Sequence, residues 1–232
     1  MTDARPPLEA YSHHRAFVGQ PERYDLAAGS QFALLFLLGL REHHKLLDFG
    51  CGSLRLGRLA IPYLLPGGYF GIEPEARLVE EGLTHEVGRD AVALKTPSFR
   101  HNGDSAVDGF GVRFDFIVAQ SVFSHTGEEP LRRALKAFAG SLSPTGIIVA
   151  NWLLGPPGYG PDPKTVDWVY PDCVAYMPDR IERLAAEVGL VVRPCPWPHP
   201  ELHWFVLTKD EAVLPDRETM NALRVAPPAW RP

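Results

Sequence analysis

The chain has 232 residues, of which 45% are hydrophobic and 22% charged, so it suits one domain with a full core and is too apolar to be disordered as a whole. Its net charge of −5 and the lack of a dense Lys/Arg run give no broad attraction to phosphate, so we expect no nucleic-acid partner. The longest apolar stretch, 33–40, is far shorter than the about 20 residues of a membrane helix, so no membrane association is expected.

The cysteines and histidines give no metal or disulfide pattern. The three cysteines, Cys51, Cys173 and Cys195, show neither paired zinc-ligand spacing nor a disulfide framework, which favours a reducing, cytoplasmic setting. The histidine pairs at 13–14 and 43–44 lack the i, i+4 spacing of a helical metal site. We therefore expect no metal.

Strand-like and helix-like segments alternate along the chain, which favours a parallel sheet covered on both faces. The predicted strands lie, in chain order, at 45–49, 69–72, 98–100, 114–119, 146–151, 190–193 and 203–208. The predicted helices lie at 31–40, 54–65, 76–87, from Thr126 onward, and at 179–188. Thr126 and Glu129 have the spacing of a capping box, and the apolar stripe of their helix extends to Leu142.

The domain organisation follows from these elements. We expect a single domain over 1–209, with an N-terminal cap and helix at 1–44. Residues 155–177 are rich in proline, glycine and aromatics and are predicted to form a lid-like insertion. Residues 210–232 are predicted to be a loosely attached tail.

A glycine-rich turn follows the first predicted strand, in the segment DFGCGSLRLG at 48–57. Gly50 and Gly52 allow a tight turn after the strand and bring backbone amides close to a ligand. Glu73 ends the second predicted strand, where an acidic side chain in a doubly wound sheet reaches ribose hydroxyls. The segment therefore predicts a nucleotide-like ligand.

Two common nucleotide motifs do not fit this segment. A dinucleotide site needs a third glycine where Arg55 stands, and a P-loop needs lysine where Arg58 follows Gly57. Asp48, two residues before the first glycine, would repel a pyrophosphate and instead suits a ligand that carries an ammonium group.

These residues resemble the class I methyltransferase family, in which D-x-G-x-G follows the first strand and an acidic residue ends the second. The resemblance covers roughly 15–209, and the runs GCGSLRLGR and SVFSH are similar to a bacterial subfamily of small methyltransferases. It implies a Rossmann-like, doubly wound α/β fold with a seven-stranded, mostly parallel sheet and an antiparallel last strand. It also implies S-adenosylmethionine as cofactor and methyl donor.

The resemblance assigns cofactor contacts residue by residue. Asp48 would lie near the methionine ammonium, Gly50 and Gly52 would line the cofactor, and Glu73 would accept hydrogen bonds from the ribose. The remaining cofactor candidates are Ser53 and Arg55 for the methionine carboxylate, Asp104 for the adenine, and Gln120 and Ser121 at the exit of the 114–119 strand.

The acceptor is expected beyond the carboxyl ends of the strands, where ligands bind in open α/β sheets. His125 follows the 114–119 strand and is the candidate general base, with a local structural role as the alternative. The candidate acceptor-binding residues are Tyr24, Trp152, Trp168 and Tyr176.

The predicted function is methyl transfer from S-adenosylmethionine to the oxygen or nitrogen of a small-molecule acceptor. Two alternatives keep the same binding motif. One is an enzyme that cyclises or cleaves the aminobutyrate chain of the cofactor, and the other is a non-catalytic binding module. The acceptor and the oligomeric state are left open by the sequence.

Overall fold

The structure, a computed structural model, describes residues 13–156 and 158–224. A mixed β-sheet carries helices on both faces. Its strands are β1 (Leu46–Phe49), β2 (Tyr69–Ile72), β3 (Ser98–Arg100), β4 (Phe114–Ala119), β5 (Leu142–Leu154), β6 (Ala175–Tyr176), β7 (Val191–Cys195) and β8 (His203–Thr208). The α-helices are α1 (His14–Phe17), α2 (Tyr24–Leu37), α3 (Gly57–Tyr63), α4 (Ala76–Gly82), α5 (Arg89–Lys95), α6 (Glu128–Ser141), α7 (Pro178–Ala186) and α8 (Arg217–Ala222).

The strand order is β3-β2-β1-β4-β5-β8-β7, with the short β6 paired beside the end of β5. Strands β1 to β5 pair in parallel, and β8 runs antiparallel to both of its neighbours. The order reverses between β1 and β4, which is where a doubly wound sheet opens a ligand crevice. The prediction of a Rossmann-like, mostly parallel sheet with an antiparallel strand near its end is confirmed.

Alternating side chains of the central strands build a core on each face of the sheet. Ile117 and Ala119 of β4 point into the core under α6 and α7, which we call the first face. Phe116 and Val118 point into the core under α2 and α3, which we call the second face. Successive residues of a strand therefore face opposite cores, and residues two positions apart face the same core.

Several element boundaries differ from the sequence-based predictions. The predicted 31–40 helix begins earlier, at Tyr24, because its polar first turns pack on the β1 turn through Tyr24 itself. Helix α5 was not predicted. The capping box is wrong, since α6 is capped by Gly127 without a side-chain hydrogen bond, and the Thr126 hydroxyl donates to the Val122 carbonyl instead. Leu142 belongs to β5 and not to the helix.

The segment after β8 is packed on the domain as far as it is described. Helix α8 lies in 210–224, and Leu214, Met220 and Leu223 are buried in the second-face core. The prediction of a loosely attached tail is therefore wrong for this part, because three apolar side chains fix it to the core. Within the described ranges, no helix is long and apolar enough to cross a membrane.

Candidate active site

The turn after β1 forms a cradle that only glycine fits. Gly50 and Gly52 have φ of +74° and +51°, in the left-handed region that favours glycine. A Cβ on Gly50 would lie 2.5 Å from Val122 Cγ2, and one on Gly52 would lie 2.5 Å from Val18 Cγ1. The cradle is thus enclosed by the loop after β4 on one side and by the N-terminal cap on the other.

Glu73 connects the ends of β1 and β2. One carboxylate oxygen accepts a 3.0 Å hydrogen bond from the Gly52 amide, and the other accepts one of 3.0 Å from the Glu75 amide. Burial raises the pKa of Glu73, while these two backbone bonds act in the opposite direction. The acidic residue at the end of β2 is therefore in register with the cradle, as the sequence predicted.

Asp48 lies beneath the cradle on β1 and is 3% exposed. Its carboxylate accepts a 2.7 Å hydrogen bond from the Tyr69 hydroxyl. Burial raises the pKa of Asp48 to about 6, although the Tyr69 bond and the nearby Arg55 charge lower it. The Tyr69 bond and the Arg55 charge do not offset the burial of this carboxylate, so it is suited to bind a cationic group of a ligand.

The N-terminal cap is joined to the cradle by Tyr24 and Arg55. The hydroxyl of Tyr24 donates a 2.8 Å hydrogen bond to the Ser53 carbonyl, and the hydroxyl of Ser53, which is fully buried, donates to Tyr24 over 3.4 Å. Arg55 donates from Nη1 to the Val18 carbonyl at 2.9 Å, and its buried Nε has no partner among the described residues. Ser53 and Arg55 therefore lie in the cradle wall, and Tyr24, an acceptor-binding candidate, is a buried support for that wall.

The loop after β3 contains the adenine candidate Asp104. Asp104 is exposed, and its Oδ1 accepts from the side chain of Asn102 at 2.6 Å and from the Ala106 amide at 3.0 Å, which closes a local turn. Asn102 Oδ1 is buried and has no partner in the described part of the chain. Asn102 was not predicted as a site residue, although a polar side chain two positions after β3 indicates one.

The exit of β4 carries Gln120 and Ser121. Ser121 has a φ of +58° and donates its amide to Asn151 Oδ1 at 2.8 Å, so the ends of β4 and β5 are tied together. Gln120 is 8% exposed, and its Oε1 has no partner among the described residues. Both residues lie at the crevice edge of the sheet, as predicted.

His125 follows in the same loop. Its Nδ1 lies 2.6 Å from the Asp172 carbonyl, an oxygen that only accepts, so Nδ1 carries the proton and the neutral ring has its lone pair on Nε2. Its backbone carbonyl accepts from the Val169 amide at 2.9 Å. His125 is thus held by residues of the 155–177 segment through both its ring and its backbone carbonyl.

The 155–177 segment lies on the crevice side of the sheet. The rings of Trp168 and Tyr170 contact His125 edge-on, with centroids at 5.8 and 5.0 Å. Tyr170 also stacks on Phe17 of α1 and donates to its carbonyl at 2.6 Å, while Trp168 is 57% exposed. The segment therefore touches both the β4 exit and the N-terminal cap.

Two of the predicted acceptor-binding residues belong to the core instead. Trp152 is fully buried on the first face, stacked on Phe123 and edge-on to Phe205. Tyr176 is 1% exposed, donates to the Thr126 carbonyl at 2.8 Å, and has a pKa raised by burial. Both predictions are wrong, because these side chains are enclosed by apolar packing and present no surface to a ligand.

The described residues offer donors, acceptors and charge that fit S-adenosylmethionine. Buried polar atoms without partners, Arg55 Nε, Asn102 Oδ1 and Gln120 Oε1, surround the glycine turn and the strand ends next to it. Asp48 adds a buried carboxylate for an ammonium group. Within 13–156 and 158–224, His, Cys, Asp and Glu residues form no group of three that would hold a metal ion.

Comparison with known proteins agrees with this geometry. The model of the methyltransferase domain family matches residues 47–148, which include the cradle, Glu73 and His125. This region therefore resembles a methyltransferase domain. The comparisons support S-adenosylmethionine as the cofactor and a transferase activity. No curated protein matches the chain by sequence.

Solved structures share the fold at low identity. Magnesium protoporphyrin IX methyltransferase from Synechocystis PCC 6803, with bound S-adenosylmethionine, is 13% identical over 82% of this chain and 81% of its own, with a TM-score of 0.59. DesVI from Streptomyces venezuelae is 16% identical over 84% and 95%, with a TM-score of 0.60. The glycopeptide N-methyltransferase MtfA is 13% identical over 79% and 94%, with a TM-score of 0.57.

Proposed function

We propose that the chain methylates an oxygen or nitrogen of a small-molecule acceptor bound between the cradle and the 155–177 segment. The observation that carries this proposal is the closeness of Val122 to Gly50, since a Cβ on Gly50 would meet Val122 at 2.5 Å. Val122 lies only three residues before His125 in the loop after β4. The glycine turn that holds a cofactor and the histidine that receives a proton therefore share one crevice.

The cofactor contacts in this proposal come from both ends of the crevice. Asp48 binds the methionine ammonium, and Ser53 and Arg55 bind the carboxylate. Glu73 accepts from the ribose while Gly50 and Gly52 let the backbone approach. We assign the adenine contact to Asn102 instead of Asp104. The Asp104 carboxylate accepts hydrogen bonds within its own turn, whereas Asn102 Oδ1 is buried without a partner among the described residues. Gln120 and Ser121 line the crevice beside them.

The bound cofactor supplies a methyl group that its sulfonium already activates. The main contribution of the chain is then positioning, which is able to provide ~7–11 kcal/mol when two reactants are held in attack geometry. His125 accepts the acceptor's proton at Nε2, which adds about 10²–10⁴-fold. Trp168 lies over the acceptor and excludes water.

The acceptor class is supported by the relatives in fold. The solved methyltransferases named above include one for magnesium protoporphyrin IX and one for a glycopeptide. The exposed ring of Trp168 beside His125 offers a flat apolar surface for a comparable acceptor. The net charge of −5 is consistent with an acceptor other than nucleic acid.

The decisive experiment incubates the protein with adenosine-labelled S-adenosylmethionine and a small-molecule extract, and then separates the adenosine-containing products. We expect S-adenosylhomocysteine to form in an extract-dependent manner. Methylthioadenosine would instead indicate cleavage or cyclisation of the aminobutyrate chain. Bound but unchanged cofactor with every extract fraction would indicate a non-catalytic module, so either result would contradict the proposal.

A further inference from the structure

A second set of buried polar groups lies beside the cradle on the second face of the sheet. Asn151 is fully buried and Trp204 is 2% exposed, and neither Asn151 Nδ2 nor Trp204 Nε1 has a partner within the described ranges. Arg55 Nε, in the turn after β1, is also buried without a hydrogen-bond partner among the described residues. A buried donor without a partner is destabilising, so the neighbouring donors of Asn151 and Trp204 indicate a missing acceptor group.

The sheet register places these donors next to each other. Asn151 and Trp204 are direct partners across β5 and β8, so their side chains leave the same face about 4.5–5.5 Å apart. Ile147 and Val149 of β5 and Val206 of β8 lie an even number of residues from Asn151 or Trp204 along their strands, so they face the same side. All three lie in the second-face core. Both donors therefore point under α2, on the side of the sheet that also holds Asp48.

His199 completes the group from the loop between β7 and β8. Its ring packs edge-on against Trp204 at 6.3 Å, and its Nδ1 accepts from the amides of Glu201 and Leu202. The proton of the neutral ring is therefore on Nε2, which is a donor. Burial, and then the positive charge of Arg55, lower the pKa of His199, which favours the neutral ring. We call Asn151, His199 and Trp204 the donor cluster.

The donor cluster extends beyond the reach of one cofactor head group. Strands β4 and β5 separate β1 from β8, so Asp48 and Trp204 are at least about 14 Å apart at ~4.8 Å per strand. The ammonium and carboxylate of a methionine head are attached to one carbon. A ligand that binds Asp48 and Arg55 therefore leaves Asn151 and Trp204 for a second molecule.

Trp152 provides an internal contrast. Its Nε1 is also buried without a partner among the described residues, but it lies on the first face among apolar side chains only. The lone indole donor of Trp152 indicates no ligand. Trp204 differs because the amide of Asn151 and the imidazole of His199 accompany it.

From this arrangement we propose that the donor cluster binds a carboxylate of the acceptor, so that the substrate is a carboxylate-bearing small molecule. The proposal rests on the proposed function, because it assigns the second ligand of the same crevice. A carboxylate accepts up to four hydrogen bonds, and the cluster presents three neutral donors. His199 is partly exposed and gives the ligand a route from solvent.

The test uses benzoate as the probe, with neutral benzamide of the same shape as its control, on protein saturated with S-adenosylhomocysteine. The indole N–H signals of the ¹⁵N-labelled chain are followed by NMR, and affinity is taken from the titration. We expect benzoate to shift the Trp204 signal and benzamide to leave it unchanged. Trp204→Phe should weaken benzoate binding about tenfold or more, while Trp152→Phe, on the opposite face, changes it less than twofold.

Three results would overturn the proposal: no indole shift with benzoate, equal effects of the two tryptophan variants, or displacement of S-adenosylhomocysteine by benzoate. If Trp204→Phe does not fold, the Trp204 signal is assigned by substituting the other tryptophans, and the wild-type titration decides. Calorimetry of S-adenosylhomocysteine alone tests the proposed function separately. A chain that binds benzoate at Trp204 but no adenosyl ligand would fail that test and not this one.

Discussion

The cradle and the acceptor side of the crevice are built in different ways. The cradle consists of neighbouring residues in the chain, Asp48 to Gly57, joined by Glu73 from the adjacent strand. The acceptor side brings together Phe17, His125 and Tyr170, which are up to 153 residues apart in the chain. On the proposed function, a local turn binds the cofactor, while long-range contacts shape the site for the acceptor.

This difference has consequences for mutation. Changes in the cradle should act on affinity for the adenosyl ligand and leave the acceptor side intact. Changes at the lid or at His125 should act on turnover or acceptor affinity alone. We expect five results, four of which test that separation, beginning with the largest effect.

His125→Ala should lower turnover by about 10²–10⁴-fold, because the acceptor's proton then has no receiving base. Affinity for S-adenosylhomocysteine should stay within twofold. His125→Asn is the matched control, since its amide N–H is able to donate to the Asp172 carbonyl but supplies no base. Steady-state kinetics that show a loss below about threefold, or rescue by asparagine, would favour the structural role.

Glu73→Ala should weaken S-adenosylhomocysteine binding by about 1.5–3 kcal/mol, or roughly 10- to 150-fold, through loss of charged hydrogen bonds. Calorimetry on the folded variant measures this. Glu80→Ala removes an exposed carboxylate from α4 and serves as the control, with no expected change. Unchanged affinity for a well-folded Glu73→Ala protein would remove Glu73 from the site.

Affinity for S-adenosylhomocysteine should rise with pH, by up to about tenfold per unit below pH 6, and level off above it. The pKa of Asp48 is raised to about 6 by burial, so below that pH an ammonium group must first displace a proton. Asp48→Asn should remove this dependence. Calorimetry in buffers of different ionisation enthalpy would detect the released proton, and its absence would count against the Asp48–ammonium contact.

The same shift has the opposite sign for folding. A carboxyl whose folded pKa is raised stabilises the free protein below its ordinary pKa of about 3.9, and this contribution is lost as the pH rises through about 6. The free energy of unfolding of the ligand-free chain should therefore fall, relative to Asp48→Asn, over the range in which ligand affinity rises. Denaturant unfolding at pH 4.5 and 7 tests this.

Trp168→Ala should raise the KM for the acceptor by about two- to tenfold, since an aromatic contact contributes ~0.5–1.5 kcal/mol. Adenosyl-ligand affinity should change less than twofold. Leu94→Ala removes another exposed apolar side chain, on α5 away from the crevice, and controls for surface effects. An equal KM in both variants would show that Trp168 does not contact the acceptor and would weaken the lid assignment of 155–177.

The sequence by itself determined the cofactor half of this protein. Gly50 and Gly52 are predictable because a positive φ excludes most other residues, and that constraint acts within one turn of chain. The alternation of strands and helices predicted the parallel sheet and with it the position of Glu73 beside Gly52. These relations are local or one strand apart, so the order of residues is enough to give them.

Tertiary structure alone decided which polar and aromatic side chains reach the crevice. Trp152 and Asn151 are consecutive in the chain, yet Trp152 packs among apolar rings and Asn151 lies beside Trp204 on the opposite face. Adjacent residues of a strand point to opposite faces, and their surroundings depend on helices far away in sequence. The donor cluster joins β5, β8 and the loop before β8, so it exists only once the sheet has assembled.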